Sequence, residues 1–119
     1  MQYKLMAIDL DGTLIGREGV IPPRTKQAIQ DAMAAGIKVT LATGRMFRPS
    51  LRFAQELGLQ VPLICYQGAL IGDPCSREIL WHQPLALSVS REVIKLVREA
   101  GPQLLVYQND ELYVEKTSA

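Results

Sequence analysis

Two aspartates separated by a single leucine, Asp9 and Asp11, close an apolar run and are followed at once by glycine in Met6-Ala7-Ile8-Asp9-Leu10-Asp11-Gly12-Thr13. Paired carboxylates at a strand end can divide the labour of phosphoryl transfer. One attacks phosphorus in line, while a divalent cation and fixed donors offset the repulsion between two anions. A carboxylate nucleophile needs no base. A carboxylic acid at pH 7 does need help, because an ordinary aspartate pKa of about 3.9 must rise by about 3 units, roughly 4 kcal/mol. For Asp11 that rise would come from the charges of an incoming phosphate and of Asp9, and a metal would oppose it. Four fixed residues at about one in twenty each match by chance on the order of 10⁻³ of the time over this length. A calcium loop is excluded, since Leu14 and Val20 stand where an EF-hand needs glycine and glutamate. The plain alternative is an Asx turn that caps the strand.

The strand in question is Tyr3 to Leu10, whose unstriped apolar run predicts a strand covered on both faces. Beyond it, Gly16-Arg17-Glu18-Gly19 between Ile15 and Val20-Ile21 predicts a small hairpin able to flap over a site. Pro22 and Pro23 open a helix with Ala28, Ile29, Ala32 and Met33 on one stripe and Gly36 as its C′ residue. Ile37 to Ala42 predicts a second strand, ending in Thr43-Gly44-Arg45. A second helix carries Pro49 early, Leu51, Ala54 and Leu57 on its stripe, and Gly58 beyond; Pro62 to Tyr66 is a third strand. Alternation of this kind predicts an α/β fold with a parallel sheet and right-handed crossovers. Ligands bind beyond the carboxyl ends of such strands, where Asp9, Thr43 and Gln67 all fall.

After that the pattern changes. Ala69 to Ile71, a turn at Asp73-Pro74 and Arg77 to Gln83 predict antiparallel pairing, with a domain boundary near 80 to 85. Ser90 is placed to cap a helix bearing Val93, Ile94, Val97 and Ala100 and closed by Gly101-Pro102. Leu104 to Gln108 and Glu111 to Glu115 flank Asn109-Asp110, a two-residue hairpin turn.

Composition excludes several classes. The 119 residues, 48% hydrophobic and 21% charged, suit one folded domain and exclude a disordered or coiled-coil chain. A net charge of +1 lacks the basic excess that nucleic-acid phosphates require. No apolar run approaches the roughly 18 to 20 residues of a membrane span, and Asp9 and Asp11 interrupt any signal peptide, so a cytoplasmic location is expected. Cys65, Cys75 and His82 match no zinc spacing; both cysteines are expected to be reduced and structural.

The stretches DLDGTL and LATGR, in that order after apolar strands, resemble motifs one and two of the haloacid dehalogenase-like (HAD) superfamily. LATGRMFRPSL and ICYQGALI are similar to the Cof-type, subfamily IIB phosphatases, and the likeness covers residues 3 to 83. It implies that residues 1–83 are the N-terminal part of a Rossmann-like core and 84–119 the beginning of an incomplete α/β cap. It further implies that Asp9 is the nucleophile that forms an aspartyl phosphate, and Asp11 the acid that protonates the leaving oxygen and later activates water. Mg²⁺ would bind the Asp9 carboxylate and the Asp11 carbonyl. The phosphoryl oxygens would meet the Thr43 hydroxyl and the backbone at Gly44, Asp11 and Gly12, and Arg45 and Gln67 would touch substrate.

Two departures accompany the likeness. Gln67-Gly68-Ala69 stands where relatives carry Asn-Gly-Ala, which offers the same amide on a longer stem. The lysine of motif three and the acidic loop of motif four have no counterpart, and Lys116 is in the wrong context to replace the lysine. Such a half site should bind Mg²⁺ poorly. The edge of strand one, which the motif-four strand would pair, invites self-association or a covering tail. The implied function is Mg²⁺-dependent hydrolysis of small phosphorylated metabolites, sugar or cofactor phosphates, by a chain truncated and inactive alone. A phosphomutase, or a catalytically dead fragment or interaction module, are the alternatives. Arg45, Arg48 and Arg52 form either a basic patch or a solvated helix face. Trp81 and His82 are assigned no catalytic role.

Overall fold

A computed structural model describes residues 3–115. The chain divides into two compact units, Met1–His82 and Gln83–Ala119; Lys116 lies outside the described residues.

The first unit runs β1 (Leu5–Ile8), α1 (Pro23–Ala34), β2 (Lys38–Leu41), α2 (Phe47–Leu57) and β3 (Leu63–Cys65), then a 3₁₀ turn at Tyr66–Gly68, β4 (Leu70–Gly72) and β5 (Ile79–His82). β1 and β2 pair in parallel, with Leu5 opposite Lys38 and Ile8 opposite Leu41. Below them, a single parallel bridge from Ala42 to Ile64 and the Thr40 hydroxyl, which donates to the Pro62 carbonyl at 2.6 Å, tie β2 to β3. β3, β4 and β5 then pair antiparallel. This is the α/β, Rossmann-like arrangement that the alternation of strands and helices predicts.

Local chemistry accounts for the element ends. Proline in the first turn of α1 has no N–H to lose, and the helix closes at Ala35 with Gly36 at φ +88°. α2 ends at Gly58 in the left-handed region, and along it Phe47, Ser50, Leu51, Ala54 and Leu57 face the core together with Phe53. The apolar ones among them pack with Val39, Leu41, Leu63 and Cys65, a fully buried Val, Leu or Phe side chain contributing about 1.5–3 kcal/mol. Gly72 is the tightest approach in this core: a Cβ there would lie 2.5 Å from the Phe47 ring.

Two expectations change in this unit. β1 is not covered on both faces: Met6 and Ile8 pack against the core, but Leu5 is 57% exposed and Ala7 is exposed too. Only the core-facing side meets a helix, so the apolar run reports its composition and not its cover. The hairpin beyond β1 is absent as well. Residues 11 to 15 close on themselves through an Asp11–Ile15 bridge, and Gly19 N–H turns back to the Gly16 carbonyl at 3.0 Å. These two local closures satisfy the backbone that a hairpin would have paired.

The second unit contains α3 (Leu87–Ala100) and a hairpin of β6 (Leu105–Gln108) and β7 (Glu111–Val114). Ala86 is the N-cap of α3. Ser90 lies inside the helix, its hydroxyl donating back to the Ala86 carbonyl at 3.2 Å, so it is not the cap. An Arg98–Glu115 pair at 2.9 Å is exposed, and none of the described residues of this unit is buried. Among the described residues no helix is long and apolar enough to cross a membrane. Cys65 is buried and Cys75 exposed, both free.

Candidate active site

Asp9 is the residue after β1, and the segment behind it is wound into a tight loop. Leu14 N–H reaches the Asp9 and Leu10 carbonyls at 3.2 and 3.1 Å, Ile15 N–H the Leu10 carbonyl at 2.9 Å, and Gly12 N–H the Ile15 carbonyl at 2.9 Å. Gly12 makes this possible at φ +79°, a conformation that side chains disfavour. Leu10, Leu14 and Ile15 sink into the core and anchor the loop, leaving Asp9 and Asp11 exposed above it. The Thr13 hydroxyl donates to Asp9 Oδ2 at 3.1 Å. Sequence reasoning gave Thr13 no role; its place four residues after Asp9 in a closed turn is the signal that could have done so.

Arg45, from the turn after β2, grips Asp11 in a bidentate pair, Nε to Oδ2 at 2.7 Å and Nη2 to Oδ1 at 2.6 Å. Those hydrogen bonds hold the Asp11 carboxyl below its ordinary range, against a small opposing effect of burial, and push the Arg45 guanidinium up. The sequence argument asks for a raised Asp11, and in this arrangement it is lowered because a guanidinium lies on it. Arg52, in α2, sits with its guanidinium carbon 4.3 Å from the Phe53 ring centre, and Arg45 at 5.4 Å. Arg45 and Arg52 thus share an aromatic floor, and Arg45 alone of the two is paired with Asp11.

The turn after β3 joins the turn after β2 through backbone bonds. Tyr66 N–H donates to the Arg45 carbonyl at 3.0 Å, Gln67 N–H to the Thr43 carbonyl at 3.2 Å, and Thr43 N–H to the Ile64 carbonyl at 2.9 Å. The buried Thr43 hydroxyl accepts from Arg45 N–H at 3.1 Å, which leaves its own hydrogen to be donated. Gln67 lies against Gly44, and both Tyr66 and Gln67 are left-handed, at φ 51° and 58°. The first and second turns therefore meet through Asp11 and Arg45, the second and third through the backbone. Trp81 and His82 lie on exposed β5. A separate apolar cavity of about 350 Å³ between β1 and α1, lined by Met6, Ile8, Leu14, Ala28 and Ile29 among others, holds none of these carboxylates.

A divalent cation fits part of this donor set. Asp9 presents a carboxylate, and the Asp11 carbonyl accepts no hydrogen bond among the described residues; both are hard oxygens of the kind Mg²⁺ takes, with waters and phosphate for the rest. Among the described residues no three histidine, cysteine, aspartate or glutamate side chains gather as a complete ligand group.

The first unit is thus a Rossmann-like core with paired aspartates after its first strand and a threonine–glycine turn after its second. Residues 6–119 match the family of haloacid dehalogenase-like hydrolases, and the chain belongs to that family. It is 29% identical over 115 residues to the pyridoxal phosphate phosphatase YbhA of Escherichia coli, covering 97% of this chain and 42% of that protein. The 5-amino-6-(5-phospho-D-ribitylamino)uracil phosphatase YitU of Bacillus subtilis is 32% identical over 95 residues, 77% of this chain and 34% of that one. Among solved structures, a haloacid dehalogenase-like hydrolase from B. subtilis superposes with a TM-score of 0.85 at 25% identity, over 97% of this chain and 40% of its own. The chain thus spans less than half the length of these relatives.

Proposed function

We propose that the turns at Asp9–Thr13, Thr43–Arg45 and Gln67 are part of a Mg²⁺-dependent site that hydrolyses small phosphorylated metabolites. The observation that carries this reading is the convergence of two exposed carboxylates, a threonine–glycine turn and one arginine at the strand ends, with Arg45 bridging the first turn to the second. Relatives named as phosphatases of pyridoxal phosphate and of 5-amino-6-(5-phospho-D-ribitylamino)uracil favour small phosphorylated metabolites, cofactor phosphates among them, as the substrate class. The other subfamily IIB traits, sugar phosphates included, are part of the same proposal.

In the proposed reaction an Asp9 carboxylate oxygen attacks phosphorus, the ester P–O bond breaks, and the leaving oxygen takes a proton from Asp11. Asp11 then takes a proton from water, whose oxygen attacks phosphorus and breaks the bond to Asp9, releasing phosphate. Mg²⁺, when bound by the Asp9 carboxylate and the Asp11 carbonyl, supplies charge neutralisation between carboxylates and phosphoryl oxygens. Thr43 donates its hydroxyl hydrogen to a phosphoryl oxygen, and Thr13 keeps Asp9 oriented. Arg45 has to exchange Asp11 for a phosphoryl oxygen before Asp11 can carry a proton. Because this cation is already engaged, and no three-ligand group gathers among the described residues, slow turnover is expected of the chain alone.

The test is phosphate release from an aryl phosphate with Mg²⁺, beside Asp9→Asn, with the intact mass recorded on the same sample. Release abolished by Asp9→Asn supports the reading; release equal in both proteins, or stoichiometric capture of phosphate on another residue, sinks it. We also propose self-association through β1, whose outer edge is unpaired among the described residues and flanked by exposed Leu5. A monomer in solution scattering across a concentration series would count against that.

A further inference from the structure

We propose that the second unit is an interface for a second copy of this chain, joined strand to strand along the outer edge of β6 and helix to helix along the uncovered flank of α3. The inference is independent of the phosphate reading. It starts from two exposed features on the same side of the unit. The first is the strand edge: among the described residues β6 pairs with β7 alone. In a two-residue hairpin the closing pair exchanges both hydrogen bonds, and bonded and non-bonded pairs alternate from there. With Gln108 opposite Glu111, this register turns the backbone groups of Leu105 away from β7. Residues from Gly101 to Gln108 carry no charge, and after Pro102 this stretch has neither the lysine nor the proline that commonly guards an open edge.

The second feature is the helix flank. Ser90, Ile94 and Val97 are the half-buried residues of α3 and mark its covered side, as Val106 does for β6. At roughly 100° per residue, Arg98 falls about 70° to one side of that covered face, and Val93, Val89 and Leu96 about 70–130° to the other. Arg98 pairs at 2.9 Å with Glu115, just past the end of β7, so its flank leans toward β7. Val89, Val93 and Leu96, all exposed, therefore overhang the open β6 side. Their spacing of four and then three is that of a seam by which two helices pack.

Charge selects the occupant. A twofold axis through Val106 lays β6 antiparallel on its own copy, with uncharged residues opposite uncharged ones along the whole strand. The same operation on β7 about Tyr113 would set Glu111 opposite Glu115, and like charges directly opposed are destabilising. The edge that suits β6 is therefore β6 itself. Pairing there merges two hairpins into one antiparallel sheet with β7 at both margins, and brings the two α3 helices side by side on one face. The solvent border of their seam carries both signs, Glu92, Lys95 and Glu99. A sheet of more than two strands backed by helices has the stability that one hairpin lacks.

The test is sedimentation equilibrium of the full chain over a concentration series, beside Leu105→Pro and Leu96→Lys, with hydrogen exchange of the Leu105 amide followed in the parent. Proline at 105 removes an N–H that β7 does not use, so the hairpin keeps its own bonds. Lysine at 96 puts a charge into the helix seam and leaves the strand untouched; circular dichroism checks that each variant folds, and Leu96→Lys decides alone if Leu105→Pro does not. Leu96 is exposed in the single chain, so dilute samples of the parent and of Leu96→Lys should unfold alike. The expected result is a dimer whose dissociation constant rises at least about tenfold in each folded variant, and a Leu105 amide that exchanges more slowly as the parent is concentrated. A dimer as tight in either folded variant as in the parent, Leu105 exchange that ignores concentration, or a chain monomeric throughout overturns the proposal.

Discussion

Two helices of this chain carry the same local signals and meet opposite fates. α2 and α3 are both amphipathic and both end on a left-handed glycine, Gly58 and Gly101. Along α2 the apolar stripe is buried; along α3, Leu87, Val93 and Leu96 remain exposed. The contrast extends to whole regions, since every buried hydrophobic among the described residues lies between Leu10 and Leu70, and none of residues 75–115 is buried. Helix signals set where a helix begins and stops, but most of its stability comes from what covers its apolar face. A two-stranded hairpin such as β6–β7 has little stability of its own to lend. The carboxylates and the polar turns stand on the region whose side chains are fixed by packing, which is what a site held to a fraction of an ångström requires.

Substitutions can break this contrast. The largest effect is expected from Phe53→Ala, since Phe53 is 1% exposed: a loss of about 3–5 kcal/mol in urea denaturation. Its counterpart, Leu96→Ala, at 64% exposed, should change stability by no more than about 0.5 kcal/mol. Comparable losses from the two would mean that α3 is covered in solution. A smaller effect, about 1–3 kcal/mol, is expected from Gly72→Ala, which presses a methyl group into the buried Phe47 ring. An unchanged denaturation midpoint there would show that the ring has room to move.

The smallest effect sits at the margin of the two regions. Asp73 accepts N–H bonds from Ser76 and Cys75 at 2.8 and 2.7 Å, and these hold its carboxyl below the ordinary value, with burial opposing slightly. A group with a depressed folded pKa stabilises above its unfolded pKa, near 3.9, and loses that contribution as pH falls through the folded value. Asp73→Asn should therefore flatten the acid limb of the stability curve slightly without moving the plateau's shape at neutral pH; identical acid limbs in the two proteins would refute the assignment.

Much of the architecture is legible in short-range chemistry. Pro23 and Gly36 bracket α1, Gly58 closes α2, and Asn109-Asp110 makes its hairpin turn with both residues left-handed, at 52° and 58°. The alternation of strand and helix likewise places the polar turns at strand ends before any coordinate is known. What is not legible depends on partners distant in sequence. The Arg45–Asp11 pair joins residues 34 apart, and no local pattern states that the arginine would turn inward to a carboxylate. The open face of β1 is equally invisible, because an apolar strand reads the same whether one side is covered or both. Ser90 is the converse case: a good capping residue is present, but the helix begins at Leu87 with Ala86 as its N-cap, and the Ser90 hydroxyl donates back to the Ala86 carbonyl.

The backbone clips between the second and third turns have a consequence for thermodynamic linkage. Tyr66 N–H on Arg45 and Gln67 N–H on Thr43 exist only when β2 and β3 are in register, so the unfolded chain lacks the arrangement of turns in which phosphate binding is proposed. A ligand that binds the folded chain and not the unfolded one raises the unfolding free energy by RT ln(1 + [L]/Kd), about 2.7 kcal/mol at a hundredfold excess over Kd. If the proposed site binds phosphate, the melting temperature of the chain doubles as a gauge of its occupancy, readable for any phosphorylated compound whether or not it is turned over.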